Sequence, residues 1–195
     1  MLSSSKNPSI FGQPVTLTAR VTGQYGGTAT GTVTFWYWVP DTSLVVSLGT
    51  AALSNGTASF SPSTLEAGAN VFAAKYSGDA NFAGSTSGEL TQRVATATTT
   101  TALTSSLNPS KSGQSVTFTA TVKGEFGGTP TGTVTFKEGT SVLEVVTPSG
   151  GVAKYTTKTL ASGKHSLTAV YLGITSISGR TDFAGSSGSL TQTVN

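Results

Sequence analysis

Residues 7–35 read NPSIFGQPVTLTARVTGQYGGTATGTVTF, and 101 positions further on residues 108–136 read NPSKSGQSVTFTATVKGEFGGTPTGTVTF. Twenty of these 29 aligned positions are identical. A repeat with a period of about 100 residues is a whole small domain with its own core. Within the first copy, Val15-Thr-Leu17-Thr-Ala19-Arg-Val21 alternates apolar and polar residues. That period of two is the mark of a half-buried strand, with Val15, Leu17, Ala19 and Val21 on the core face. The second copy offers Val116, Phe118, Ala120 and Val122 in the same places. Gly26-Gly27 and Gly127-Gly128 follow as turns, where glycine adopts positive φ without a Cβ penalty. A second strand then brings Val33 and Phe35, or Val134 and Phe136, to the core face.

The pattern continues to the end of each copy. Leu65-Glu-Ala-Gly68 precedes a strand at 70–76, matched by Leu160-Ala-Ser-Gly163 before 165–171, and closing strands fall at 89–94 and 189–194. Short alternating runs broken by Gly, Pro and Asn predict an all-β chain with almost no helix. Valine and threonine favour this state because branching at Cβ suits a pleated surface. The expected domains are 1–95 and 96–195. Leu2 aligns with Leu103, so the threonine run at 98–101 has no counterpart in the first copy. That reads either as trimming from a longer array or as a sheet edge that a neighbouring domain or subunit completes by strand addition.

Composition narrows the function classes. Charged residues make up 10% of the chain, and regularly spaced apolar residues separate it from disordered sequences, which pair low hydrophobicity with high net charge. The net charge of +3 is spread thinly: four Lys/Arg against four Asp/Glu up to Ala95, seven against four after it. Nucleic-acid binding needs cations clustered on one face, so no nucleic-acid partner is expected. Without cysteine, each domain is held by packing and hydrogen bonds alone. The opening residues lack the apolar core of a signal peptide and no run is long enough to span a bilayer. The chain is thus read either as a piece of a longer exported protein or as a complete protein made in a cytoplasm, with no membrane insertion. The join after Val94 has no Gly/Ser-rich spacer, which predicts a stiff pair, roughly 70–80 Å long at ~3.3 Å per strand residue.

Taken together, NPS..GQ.VT.TA.V, GG..TGTVTF, L.AG...(F/L).A.Y, NFAGS or DFAGS, and LTQ.V resemble the bacterial immunoglobulin-like repeat family of group 3, twice over nearly the whole chain. The resemblance implies two tandem Greek-key β-sandwiches of about seven strands each. It also implies a setting in large, tandemly repeated surface or secreted bacterial proteins. It implies no catalytic residues, because the shared positions are core and turn residues. The copies differ in loops, where function usually sits. The first has about six more residues between Phe35 and Leu65, and the second carries LGITSISGR after Tyr171 where the first has SGDA.

Four features are candidates for chemistry. In Phe35-Trp-Tyr-Trp38, alternation sends Tyr37 inward and Trp36 and Trp38 outward. Two indole rings on one face suit stacking on a surface glycan or anchoring a partner. The structural alternative is that the following loop, from Val39, folds over them. The second copy has Lys137 and Gly139 there, so the fold does not need the pair. Asp79 and Asn81 place oxygens at alternate positions, as a weak Ca²⁺ site would, but Asx residues also stabilise turns and the second copy keeps only Asp182. No metal or cofactor is therefore expected. His165, replaced by Asn70 in the first copy, has no carboxylate near it in sequence and reads as structural. The eight acids are scattered singly, so no catalytic residues and no enzyme are expected. The expected function is a non-enzymatic structural or adhesive module, extracellular or on a bacterial cell surface. The alternative is a phage virion accessory, a capsid decoration or tail protein touching the host surface. A glycan-binding module resting on Trp36 and Trp38 is the third reading.

Overall fold

The structure is a computed structural model that describes residues 1–38, 44–63, 65–175 and 179–195. Every element among them is a strand, and the chain divides into two compact units, Met1–Ala95 and Thr96–Asn195.

The first unit holds β1 (Leu2–Ser4), β2 (Ser9–Ile10), β3 (Leu17–Arg20), β4 (Thr32–Trp38), β5 (Val45–Ala52), β6 (Thr57–Phe60), β7 (Gly68–Tyr76), β8 (Ser85–Thr86) and β9 (Leu90–Ala95). One sheet runs β1-β3-β6 and the other β2-β9-β7-β4-β5, with β8 beside β7. The chain changes sheet after β1, β2, β3, β5 and β6, which makes an immunoglobulin-like sandwich with Greek-key crossings. The crossing from β5 to β6 is set by Asn55-Gly56. Their φ values of 51° and 71° give two consecutive left-handed residues, while Ser54 and Thr57 exchange backbone bonds of 2.8 and 3.0 Å. The core is what alternation predicts: Val15, Leu17 and Ala19 face Val33, Phe35, Phe72, Ala74 and Tyr76. Phe35 and Phe60 stack across the two sheets with ring centroids 5.5 Å apart.

The second unit repeats the plan with β10 (Thr99–Ser105), β11 (Val116–Gly124), β12 (Val134–Glu138), β13 (Ser141–Val146), β14 (Val152–Thr157), β15 (Gly163–Tyr171), β16 (Ile174–Thr175), β17 (Thr181–Phe183) and β18 (Ser186–Val194). Its sheets run β10-β11-β14 and β13-β12-β15-β18, and β16, in the inserted stretch, pairs with β17 just after it in a small ladder. Val116, Phe118, Ala120, Val134, Phe136, Leu167, Ala169 and Tyr171 fill the core at the matching places.

The repeated motifs are explained by one polar knot per unit. Asn7 spans the last strand: its Nδ2 donates to the Thr91 carbonyl and its Oδ1 accepts from the Arg93 amide. Asn108 does the same to Thr191 and Thr193. Beneath it Gln92, fully buried, donates through Nε2 to the carbonyls of Lys6 and Arg93 and to Ser9 Oγ, and accepts from Ser4 Oγ at 2.6 Å. Gln192 holds the equivalent set. The Asn-Pro-Ser and Leu-Thr-Gln signatures are thus two halves of one hydrogen-bonded contact.

Two strands depart from the sequence expectation. The run 15–21 forms a strand only at Leu17–Arg20, whereas its counterpart extends over Val116–Gly124. The cause is the flanking strand: β10 pairs with β11 over seven positions, β1 with β3 over three. The last strand is continuous in the second unit but divided into β8 and β9 in the first, which has one more residue between Phe82 and Leu90 than lies between Phe183 and Leu190.

Candidate functional site

Trp36 and Trp38 sit on β4, between β5 and β7. Trp36 lies opposite Ala73 and Ser47, and Trp38 opposite Val71 and Val45. Their neighbours Val33 and Phe35 are buried and Tyr37 packs against the core, so the two indoles occupy the outer face, as alternation predicts. Both are half-buried. Ala73, also on the outer face, is only 3% exposed, as a small residue directly across from an indole ring should be. With Val45, which lies opposite Trp38, the two rings make an apolar area on the outer side of the larger sheet. The loop proposed to fold over them lies, at 39–43, outside the described residues. In the second unit the same face carries Lys137 opposite Thr168 and Val142.

Behind Trp36 and Trp38, Tyr37 points inward and its hydroxyl donates to Asn70 Oδ1 at 3.2 Å. Asn70, fully buried, donates through Nδ2 to the Glu66 carbonyl at 2.9 Å. The second unit replaces both members together. Glu138 stands where Tyr37 is and His165 where Asn70 is, with Nδ1 of His165 2.6 Å from Glu138 Oε1 and Nε2 2.8 Å from the Ala161 carbonyl. The sequence reading left His165 without a carboxylate; β12 supplies one from 27 residues away. The readable signal was the paired change between copies, Tyr–Asn to Glu–His.

Both ring nitrogens of His165 face acceptors, which favours the imidazolium. The Ala161 carbonyl, and then Glu138, raise its pKa above the ordinary histidine value. A group whose pKa rises on folding stabilises fully below its unfolded value and loses that contribution as pH climbs through the folded one. Thermal unfolding followed by circular dichroism should therefore show the second unit losing stability as pH rises through and above the ordinary histidine range. His165→Asn should remove that part of the slope.

Asp79 is an anchored turn. Its Oδ2 accepts from the Thr30 amide and hydroxyl at 2.7 and 2.8 Å, and its Oδ1 from the amides of Asn81 and Phe82, both at 2.8 Å. These bonds, the Thr30 amide foremost and the Asn81 amide next, hold its carboxyl well below the usual carboxylate range. The Asn81 side chain is exposed beside it. Among the described residues no three His, Cys, Asp or Glu side chains come together as a metal site would require. No helix among them is long and apolar enough to cross a membrane.

The model of the bacterial Ig-like domain (group 3) matches this chain twice, over residues 2–95 and 103–195. No curated protein matches it. Solved structures with similar folds include the fibronectin(III)-like modules of Clostridium thermocellum CbhA, at 16% identity and TM-score 0.37, with 100% of this chain and 95% of that one covered. The Escherichia coli adhesin FdeC aligns at 15% identity and TM-score 0.34, over 100% of this chain and 63% of its own. Three N-terminal domains of the outer capsid protein Hoc of bacteriophage RB49 align at 15% identity and TM-score 0.38, over 99% and 58%. The chain thus spans under two thirds of the last two, and likenesses this distant carry nothing about role.

Proposed function

The chain belongs to the bacterial Ig-like domain (group 3) family, and from that premise we propose that it is a non-enzymatic structural and adhesive module of a bacterial surface or secreted protein. The observation that carries this reading is the division of labour between the copies. The positions they share are core residues, turn glycines and the Asn/Gln knot, all of which serve folding. Apart from the Tyr37–Asn70 and Glu138–His165 exchange, the copies differ most on surfaces and in loops, and on the sheet faces the most distinctive difference is Trp36 and Trp38 against Lys137 and Gly139. The first unit is therefore the binding half, with the indole face taking weak contacts to surface glycans. The second unit, which carries Lys137 and Gly139 in place of the indoles, serves as a spacer.

A glycan array probed with the full chain tests the contact. Saturable binding should fall roughly thirtyfold in Trp36→Ala/Trp38→Ala, the effect of losing an aromatic anchor of about 2 kcal/mol. Equal binding by both proteins, with matching unfolding midpoints, would remove the indole face from the reading.

A further inference from the structure

On the core side of β4 the first unit holds a cavity of about 320 Å³. Three aromatic rings line it, those of Tyr37, Phe60 and Phe72. The rings of Tyr37 and Phe72 have centroids 5.3 Å apart and are tilted by 32° to each other. Leu48 and Leu65 add aliphatic wall. Phe72 is fully buried at the back, while Tyr37, Phe60, Leu48 and Leu65 are half-buried around the opening.

Apart from the Ser63 hydroxyl, the polar side chains of the lining offer only lone pairs. The Tyr37 hydroxyl donates its proton to Asn70 Oδ1 at 3.2 Å. Asn70 Nδ2 donates to the carbonyls of Glu66 and Gly68, at 2.9 and 3.4 Å. Glu66 brings a carboxylate, which only accepts. Among the described residues no Lys, Arg or His lines the cavity.

The second unit shows what this end of the sandwich can accommodate. There His165 stands in place of Asn70 and Glu138 in place of Tyr37. Nδ1 of His165 lies 2.6 Å from Glu138 Oε1, and Nε2 bonds the Ala161 carbonyl, the counterpart of the Glu66 carbonyl. An acid is thus met by a cation that the protein itself supplies. The first unit keeps an acid at this end, at Glu66 where the second has Ala161. It gains two rings, Tyr37 for Glu138 and Phe72 for Leu167, and its lining supplies no cation.

We propose that this cavity binds a trimethylammonium group, carried by choline or by a phosphocholine headgroup. Aromatic faces attract a cation through the ring quadrupole, most strongly where water is excluded. A primary ammonium is a compact, strongly hydrated charge, and a mostly apolar wall replaces little of that hydration. Methyl groups spread the charge and pack against Leu48 and Leu65. The volume is at the small end of ligand pockets, which suits a headgroup and not a drug-sized molecule. The site lies on the face of β4 opposite Trp36 and Trp38, so it stands or falls independently of glycan binding.

The test titrates the full chain with choline and follows aromatic side-chain resonances by NMR. Saturable shifts are expected at Tyr37, Phe60 and Phe72, with a Kd on the order of 1 mM. Neohexanol, the uncharged carbon analogue, and ethanolamine, the unmethylated amine, should each bind roughly tenfold more weakly. Glu66→Gln, a change at a half-buried side chain, should weaken choline roughly threefold without moving the unfolding midpoint. Tyr37→Glu with Asn70→His, which installs the second unit's own cation, should abolish binding; should that variant unfold, Glu66→Gln decides alone. Phosphocholine, titrated in parallel, separates the sources: tighter binding than choline identifies a headgroup, weaker binding a free ammonium ligand. Trp36→Ala/Trp38→Ala should bind choline as the parent does, whatever it does to glycans. The absence of saturable shifts, equal binding of either analogue, full binding by Glu66→Gln, or shifts confined to the indoles or to Tyr155 would overturn the proposal.

Discussion

Gln192→Leu is expected to destabilise the second unit by about 3 kcal/mol or more. Leucine matches the volume but none of the bonding. Gln192 is fully buried and its Nε2 donates to the carbonyls of Leu107 and Thr193, at 2.9 and 3.1 Å, and to Ser110 Oγ at 3.2 Å; its Oε1 accepts from Ser105 at 2.7 Å. The substitution strands these partners beneath the Asn108 clamp. Each buried polar group left without a partner costs about 1–3 kcal/mol, and the serines recover part by rotating. At about 4–8 °C per kcal/mol for a unit of this size, the unfolding midpoint should fall by at least ~12 °C. Gln92→Leu should do the same to the first unit. A loss under ~1 kcal/mol in a denaturant titration would mean that water replaces the amide, and the knot would not be the anchor described here.

The second large effect is expected at Gly188. A methyl group there meets backbone rather than a pliable side chain: the Thr101 carbonyl, with the Leu103 amide nitrogen at 3.2 Å. Strand β10 would have to lift off β18, uncovering Ala97, Val122 and Phe183. Gly188→Ala should destabilise by about 3 kcal/mol, the upper end of overpacking in a core, and Gly188→Val by more. Gly88 is the control. It meets nothing within 4 Å and its φ is not left-handed, so Gly88→Ala should leave stability within about 0.5 kcal/mol of the parent. Equilibrium denaturation of the three variants decides it; similar midpoints would refute the close strand approach.

Much of the fold was legible because period-two alternation reports which side of a strand faces the core, and it did so for β4, β11, β12 and β15. Asn55-Gly56 was readable as a turn because few residues accept two left-handed conformations in a row. What was not legible depends on register between distant strands. The Asn-Pro-Ser and Leu-Thr-Gln motifs stood out as repeats, but in the first unit they begin 83 residues apart, at Asn7 and Leu90, and the parallel pairing of Ser9 with Val94 brings them together. Glu138 meets His165 because β12 and β15 pair with Glu138 opposite Leu167, a register that alternation leaves open. The indole face was readable as outward; no pattern in the sequence states what rests on it.

Two neighbouring domains this alike invite misassembly, one lending its strand to the other while the chain folds. The Tyr37–Asn70 and Glu138–His165 pairs discourage that error. The Nδ2 of Asn70 is committed to the Glu66 carbonyl, so only its oxygen faces the incoming strand. Were β12 to invade the first unit, the Glu138 carboxylate would meet that oxygen, acceptor against acceptor, in a buried place. The mismatched pairs thus act as labels by which each half of a near-duplicate finds its own strands.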